Sequence, residues 1–567
     1  MNVRLILITA AVAMVCAGGV QANDDERAKV EILHETTLNL IRLLVEQGVI
    51  KQEAADEMMR KAQQTAAKKN SEERPQEKTG QAGTGEPNKG VVRVTYVPEH
   101  IKREIRDQLR EEVVVQAKQE RWGNVNAIPE WVSRFKMEGD MRLREQADFY
   151  PVGNAPAADF QAIGQLIQND NTTNDSLHRE RVRLRLGINA NITKGVDLGI
   201  RLATGDTTPA VAGMFQNTPN NSPTSTLQTM GNTAQKYSIW LDQVYLKFTP
   251  QDWFTVTAGR LPNPFFVGTI GNVYTGILRK SGNTIPFPGV VHTDLIWDVD
   301  VNFEGLAVNL HPWLQENRSV KPFLNAGIFP LQKINQSETV KAKDKWFYGA
   351  QAGLEIAPAN TDIKVRLGAA FYDFNNISGV ANPAFGDTLY NQTAPQFRQK
   401  GNSLFNIDND GNPNTNLWAL AADYRIANVT MVADYSRFAP IHVIGTADYA
   451  RNVGYDQAKI LARTGMNIPP QITAYQARLT IGYPIISQRH QWQVFGFYRY
   501  SERDSMLDAF TDSNYLMGGT NHKGFTIHGA YGVAPNTWFT LRYMSYNSIS
   551  GLPLAIDSIN MDLNARF

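Results

Sequence analysis

Apolar and polar residues alternate with a period of two in many short segments between Trp131 and the C-terminus. Such alternation is typical of β-strands that have one apolar face. The last segment ends at Phe567, with Ile559, Met561 and Leu563 between polar neighbours. A short edge strand of a soluble sandwich would look similar over these residues alone, but a closed membrane barrel requires its last strand to pair with its first. We predict strands at 133–146, 179–190, 196–204, 237–248, 252–260, 303–310, 321–331, 346–356, 362–373, 417–425, 427–437, 473–483, 491–501, 523–532, 537–546 and 556–567.

The connections between these segments alternate between short and long. Short turns are predicted at 193–195, 249–251, 358–360, around Ala427 and at 534–536, and long polar segments at 147–178, 205–236, 261–302, 374–416 and 438–472. Loops this long are uncommon in a compact soluble domain. Outer-membrane barrels have short periplasmic turns at one rim and longer extracellular loops at the other. Residues 129–567 are therefore predicted to form an all-β transmembrane barrel of about sixteen antiparallel strands, with both ends on the periplasmic side.

Arginines indicate which face of the predicted strands lines the lumen. In segment 179–190 they occupy odd positions, whereas Val182, Leu184 and Leu186 occupy even positions. Each arginine would cost about 2–4 kcal/mol if it faced the middle of the bilayer. With the neighbouring strands, the predicted pore-lining set is Arg142, Arg144, Arg181, Arg183, Arg185, Arg201, Arg366 and Arg478. Segment 237–248 fits less well, because Asp242 would face lipid unless a bulge or another strand boundary intervenes.

A barrel of about sixteen strands encloses an aqueous channel, whereas side chains fill one of about eight. Polar residues occur at every level of the predicted inner face, which favours a water-filled lumen. The predicted loop 261–302 carries the acids Asp294, Asp298 and Asp300, and a further acid, Glu304, follows just after it. We name these four residues as constriction residues. We hypothesise that this loop folds into the pore opposite the arginines and creates a transverse field. Alternatively, the acids pair with lumen arginines and stabilise the wall.

The segment before the predicted barrel has a different pattern of apolar and polar residues. Arg4, an apolar run from Leu5 to Val15 and small residues ending at Ala22 predict a signal peptide over 1–22. Cys16 raises a lipoprotein alternative, but Val15 fits a lipobox poorly, and cleavage after Ala22 would remove the only cysteine. We then expect a helical hairpin at 23–68, a flexible linker at 69–92 and an amphipathic helix at 93–128, all in the periplasm.

Composition excludes several classes of protein. The 56 basic and 55 acidic residues nearly cancel, so charge predicts no nucleic-acid partner. Mean hydropathy is −0.33 and no second long apolar run follows the signal, which excludes a helical membrane protein. The segment 408–412 suggests calcium, but its glycine is misplaced for an EF-hand loop, and a turn-rich surface loop is favoured. We predict no metal site and no cofactor.

Five stretches of the chain resemble the putative porin family of Gram-negative outer membranes: LVEQGVI at 44–50, YVPE at 96–99, GRLPNPF at 259–265, LIWDVDVNFEGL at 295–306 and GGTNHKG at 518–524. The resemblance covers nearly the whole mature chain. It implies passive diffusion of ions and small hydrophilic solutes through an outer-membrane barrel, in contact with lipid and lipopolysaccharide. It also implies a third extracellular loop folded inward, here 261–302, and a homotrimer. The helices would then form the trimer contact or bind a periplasmic or cell-wall partner. A terminal aromatic such as Phe567 resembles the signature that the barrel-insertion machinery reads.

Three other functions remain open from the sequence. A substrate-specific channel is a variation on a general porin. A plugged barrel that anchors a periplasmic tether would have a blocked lumen. An outer-membrane hydrolase is disfavoured, because the nine histidines form no recognisable spaced set and no Gly-x-Ser-x-Gly stretch occurs in a strand-to-helix context. We therefore do not expect an enzyme.

Overall fold

The computed structural model describes residues 134–165, 172–205, 207–208, 220–266, 293–313, 318–412 and 415–567. These residues belong to one compact unit, 112–567. The predicted signal peptide, helical hairpin, linker and amphipathic helix lie outside the described residues. No helix in the described ranges is long and apolar enough to cross a membrane.

Sixteen long strands follow one another in the described part of the chain. They are β1 (Phe135–Phe149), β2 (Leu177–Thr193), β3 (Val196–Thr204), β4 (Ile239–Gln251), β5 (Phe254–Pro262), β6 (Asn302–Leu310), β7 (Val320–Gln332), β8 (Lys345–Ile356), β9 (Ile363–Asn375), β10 (Tyr424–Tyr435), β11 (His442–Asn452), β12 (Thr473–Gly482), β13 (Trp492–Ser501), β14 (His522–Ala534), β15 (Thr537–Ser548) and β16 (Ala555–Arg566).

Smaller elements lie in the connections. They are the helices α1 (Ala157–Ala162) and α2 (Gln457–Thr464), the 3₁₀ turns Asn391–Thr393 and Asp508–Phe510, and the short strands Thr207–Thr208, Asn220–Asn221, Gln228–Thr229, Leu404–Asn406 and Trp418–Leu420.

The sheet closes on itself. Each long strand is antiparallel to its neighbours, and β1 pairs with β16 as well as with β2. Beyond the end of β16, Gly139 and Phe567 exchange two backbone hydrogen bonds, of 3.0 and 3.1 Å. A Cβ at Gly139 would lie 2.3 Å from the Phe567 ring, so the ring packs directly over the glycine. The prediction of a closed antiparallel barrel of about sixteen strands is confirmed.

The two faces of the barrel differ in polarity. The outer face exposes apolar side chains, including Met141, Leu143, Leu186, Leu246, Leu306, Leu479, Leu541, Met561 and Leu563. The inner face buries polar and charged side chains, including Asp140, Arg183, Arg185, Gln476, Arg499, Asn560, Asp562 and Asn564. An apolar exterior around a polar interior is the pattern expected of a barrel in lipid.

A bulge in β4 explains the irregular alternation around Asp242. Opposite β3, Arg201 pairs with Gln243 whereas Leu202 pairs with Leu241, so Asp242 is the extra residue. The bulge turns Asp242 inward, where its Oδ2 lies 2.5 Å from Nε of Arg201. Of the two sequence explanations, the bulge is therefore the correct one.

The turn predicted around Ala427 is wrong. Residues 424–435 form one strand, β10, and Ala427 lies within it. The segment 438–472, predicted to be a loop, contains β11 (His442–Asn452). The prediction thus has one long strand too many in 417–437 and one too few in 438–472. These two errors cancel, so the predicted total of about sixteen strands agrees with the structure.

One wall of the lumen is aromatic instead of polar. Inward residues of β6 to β9 pack against side chains from the loops, with Phe265 and Trp297 stacked at a centroid distance of 6.5 Å. We call this group the aromatic block; it comprises Phe265, Trp297, Phe303, Phe329, Phe347, Tyr372, Phe374 and Phe510. The expectation of polar residues at every level of the lumen was wrong at the level of the aromatic block, although Asn325 and Gln351 on the same wall are polar and face inward. Aromatic side chains face inward here because the loops cover them.

Candidate functional site

Two described parts of the connection between β5 and β6 lie inside the barrel. They are 263–266 and 293–301, which we call the inward loop. At the first part, the backbone N–H of Phe266 donates to Gln351 Oε1 (2.6 Å), and Gln351 Nε2 donates back to the Phe266 carbonyl (2.9 Å). Asn309 Nδ2 donates to the Pro264 carbonyl (3.1 Å). Inward side chains of β6 and β8 thus hold the start of the loop against the wall.

The returning part of the inward loop contacts other strands. The Thr293 hydroxyl donates to Asp448 of β11. Asp294 forms an ion pair with Arg499 of β13 and accepts a hydrogen bond from the Tyr515 hydroxyl (2.7 Å). The described parts of the loop therefore contact β6 and β8 at 263–266 and β11 and β13 at 293–294.

The remaining loop acids hold different partners. Asp300 lies 3.1 Å from Nη1 of Arg185 and accepts a hydrogen bond from the Thr226 hydroxyl (3.2 Å). Asp298 accepts from the backbone N–H groups of Asp300 (2.8 Å) and Ser513 (3.2 Å). Burial raises the pKa of Asp298 well above its usual range, and the neighbouring charges of Asp512 and Asp300 add to this.

Glu304 does not lie with these acids. It belongs to β6, and its side chain is 63% exposed on the outer face, where it pairs with Arg260 at 2.9 Å. The prediction that put it in the constriction loop fails because β6 begins at Asn302, and even positions of this strand face outward.

Two arginines of β2 bind the same carboxylate group of β1, that of Asp140. Arg183 Nη2 lies 2.8 Å from Asp140 Oδ1, and Arg185 Nε lies 2.7 Å from Asp140 Oδ2. Since Arg185 also contacts Asp300, it joins the barrel wall to the inward loop. Arg181 donates to Gln146 (3.5 Å) and to the Leu227 carbonyl (3.4 Å).

The arginines of β1 gather around β16. Arg144 binds both oxygens of Asp562, at 2.6 and 3.0 Å. Arg142 Nε donates to Asn564 (2.9 Å) and lies 3.7 Å from Asp562. The structure thus brings Arg142, Arg144, Arg183 and Arg185 together on one wall, which we call the arginine wall, with Arg201 paired to Asp242 on the adjoining strands.

Two predicted pore-lining arginines stack on rings elsewhere. Arg366 of β9 lies over Phe266 and Phe323, 4.6 Å from each centroid. Arg478 of β12 lies 3.5 Å from the Phe495 centroid. Both face inward, but they are on strands away from β1 and β2.

The sequence analysis places Arg179 in the odd-numbered row of β2 that faces the lumen, and Arg179 binds Asp148 at 2.6 Å. Other inward cations were not predicted, among them Arg499 and Arg542. Arg499 shares its face with Phe495 and Phe497, so the apolar pattern concealed it. Arg542 of β15 lies opposite His528 and Asn560. The other inward positions of this strand include both polar and apolar residues, so its inner face gave no clear pattern.

Two further segments fill the lumen beside the inward loop. We call residues 397–403 and 502–521 the loop plug. Asn402 is fully buried, and its Nδ2 donates to the carbonyls of Arg503 (2.7 Å) and Met506 (2.9 Å). Asp504 accepts from both the backbone and the hydroxyl of Ser403, at 2.8 and 2.6 Å. These paired polar groups fix the two segments to each other.

The described ranges contain no group of three or more His, Cys, Asp or Glu side chains arranged to hold a metal ion. In the segment that suggested calcium, Asp410 accepts from Thr415 (2.5 Å) and from the Asn412 backbone (2.8 Å), as in a turn.

Comparison with known proteins gives a family and a set of similar folds. The outer membrane channel DcaP of Acinetobacter baumannii is 11% identical over 76% of this chain and 97% of its own (TM-score 0.36). OmpF of Salmonella typhi, in complex with daunomycin, is 10% identical over 76% and 97% (TM-score 0.38). OprB of Pseudomonas putida at high pH is 12% identical over 79% and 97% (TM-score 0.41). No curated protein matches the chain. The model of the putative porin family matches residues 34–567, and the chain belongs to that family.

Proposed function

We propose that this outer-membrane barrel is a porin that forms a water-filled channel for passive diffusion of ions and small hydrophilic solutes. The observation that carries the proposal is a closed sixteen-stranded barrel whose inner wall from β15 to β3 bears arginines and carboxylates. A barrel of this size has room for an aqueous lumen. Family membership agrees with this role.

The inward loop is proposed to be the constriction. Asp294, Asp298 and Asp300 lie inside the barrel, and the contact of Asp300 with Arg185 brings the loop to the arginine wall. Charged groups of both signs across a narrow aqueous gap screen solutes by size and by dipole orientation. Arg142, Arg144, Arg181, Arg183, Arg185 and Arg201 form the proposed basic side.

The remaining features of the proposal concern export and assembly. Residues 1–22 would direct export and the N-terminal region would remain in the periplasm. Phe567 would be read by the insertion machinery, and the barrel would contact lipid and lipopolysaccharide. A homotrimer is proposed as the assembled state, which cross-linking of the protein in outer-membrane vesicles tests.

Single-channel recording tests the channel directly. The full-length protein, refolded and shown to resist SDS at room temperature, is added to a planar bilayer in KCl. We expect stepwise, ohmic currents that heat-denatured protein at the same concentration does not produce. Silence from correctly folded protein would overturn the porin assignment.

The loop plug favours one alternative, a barrel that only anchors a periplasmic tether. Asn402 and Asp504 are buried in the lumen with satisfied hydrogen bonds, as expected of a permanent stopper. The same recording separates the two functions, because an anchor would give no conductance. A substrate-specific channel would conduct ions, and a bound solute would reduce that current.

A further inference from the structure

The acids of the inward loop are bound within the structure. Asp294 is paired with Arg499 and also accepts from Tyr515. Asp300 is paired with Arg185. Asp298 has both oxygens on backbone amides. Their charge is therefore largely neutralised by fixed partners and offers little attraction to a passing cation.

The arginine wall has more positive than negative groups around Arg142. Four guanidinium groups, those of Arg142, Arg144, Arg183 and Arg185, share three carboxylates. Arg142 and Arg144 share Asp562 (3.7 and 2.6 Å), Arg183 and Arg185 share Asp140 (2.8 and 2.7 Å), and Arg185 also contacts Asp300 (3.1 Å). Arg144 already holds both oxygens of Asp562. The side chain of Arg142 is 11% exposed, against 1% for Arg144, so Arg142 is the more accessible of the two.

Arg542 stands in a similar position on β15. The carboxylates nearest to it electrostatically are those of Asp562, Asp512 and Asp294. Each is bound elsewhere: Asp562 by Arg144, Asp294 by Arg499, and Asp512 by the backbone and side-chain amides of Asn514 (2.7 and 2.6 Å). Arg542 thus lies among carboxylates that already have other partners.

We propose that the channel is selective for anions, and that Arg142 and Arg542 are the residues that set this selectivity. This rests on the proposed porin function and names its solute class. The aromatic block occupies the wall of β6 to β9, so the polar path runs along the wall from β15 to β2. A guanidinium group binds carboxylate and phosphate oxygens through paired hydrogen bonds, so small carboxylates and phosphates are the solutes that fit.

Reversal potentials across a KCl gradient measure the selectivity. The wild-type channel should pass chloride more readily than potassium. Arg142→Gln and Arg542→Gln should each lower the chloride-to-potassium permeability ratio by about threefold, the effect of one unit charge several ångströms away in water. The matched control is Arg425→Gln, which removes an arginine that is 61% exposed on the outer face beside Asp373 and should leave the ratio unchanged.

The outcomes separate this inference from the porin proposal. A conducting wild-type channel that prefers potassium, or a ratio that neither glutamine variant changes, overturns anion selectivity and leaves the porin standing. Silence of every variant and of the wild type overturns the porin itself. Arg142→Lys and Arg542→Lys keep the charge and should retain the wild-type ratio, whereas a loss in the lysine variants as well would show that packing, not charge, is responsible.

Discussion

Arg144 in the first strand binds both carboxylate oxygens of Asp562 in the last strand, at 2.6 and 3.0 Å. Four hundred and eighteen residues separate the two in the chain. The pair lies on the inner face beside the backbone seam between β1 and β16, so a charge-assisted contact reinforces the hydrogen bonds that close the barrel.

Replacement of Asp562 tests this contact. Asp562→Asn leaves Arg144 buried without its anion, and loss of one partner of a buried pair costs about 3–5 kcal/mol. We expect the free energy of unfolding in detergent to fall by that amount, measured by guanidinium titration with tryptophan fluorescence. Asp557→Asn, on the outward face of the same strand, is the control and should change stability little. If the two variants were equally stable, the stabilising role of the ion pair between Arg144 and Asp562 would be contradicted.

The loop acids should affect ion flow, whereas Glu304 should not. Simultaneous replacement of Asp298 and Asp300 by Ala removes a carboxylate from Arg185, and we expect the conductance or the chloride-to-potassium ratio to change by about two- to threefold. Glu304→Ala is the matched control, because its side chain lies on the outer face. Planar-bilayer recording measures both. Unchanged conductance and selectivity in the double variant would refute the constriction.

Acidification should strengthen the loop plug. Burial raises the pKa of Asp508 to about 6 against an opposing effect of Arg398, and burial together with Asp294 raises that of Asp512 to about 6. The folded plug then keeps these protons while an unfolded chain has lost them, so stability falls as pH rises from about 4 to 6 and stays low above that.

Asp508→Asn should remove part of this dependence. We expect the variant to be more stable than the wild type at pH 7 by about 1–3 kcal/mol, since one pKa unit corresponds to about 1.4 kcal/mol. The gain should shrink towards pH 4, where the wild-type carboxyl is protonated. Unfolding titrations at pH 4, 5.5 and 7 measure the gain in stability and its dependence on pH. A variant destabilised equally at all three pH values would disprove the pH prediction.

The aromatic block should limit both stability and conductance. Trp297 contacts Phe265, Phe303 and Tyr372, with the last centroid at 5.1 Å. Trp297→Ala should reduce the free energy of unfolding by about 3–5 kcal/mol through the cavity that it leaves. We also expect a larger single-channel conductance. Trp253→Ala, at a tryptophan 49% exposed in the turn between β4 and β5, should alter neither quantity much.

The strand pattern could be read from the sequence because lipid forces one face of each strand to be apolar. Where that contrast is weak, the prediction failed. In β11 the outward positions include Gly445, Ala447 and Arg451, so only Val443 and Tyr449 supply a clear apolar signal. The bulge at Asp242 was recognisable as an irregularity, although its register appears only when β3 is beside it.

The candidate site was predictable only in part. Parity placed Arg183 and Arg185 on the inner face, because a row of charges cannot face lipid. The partners that neutralise the loop acids were not predictable: Arg499 lies 205 residues from Asp294 along the chain. The aromatic block was hidden for a related reason, since inward aromatic residues resemble lipid-facing ones until the loop that covers them is known.

The position of the inward loop has a consequence for size exclusion. The number of strands fixes the diameter of the barrel, but here the aromatic block, the inward loop and the loop plug place buried side chains inside it. For the proposed channel, we expect the largest molecule that passes to be determined by loops held by a few contacts, such as that of Gln351 with Phe266. Related barrels of equal diameter can therefore differ in molecular sieving without any change in their strands.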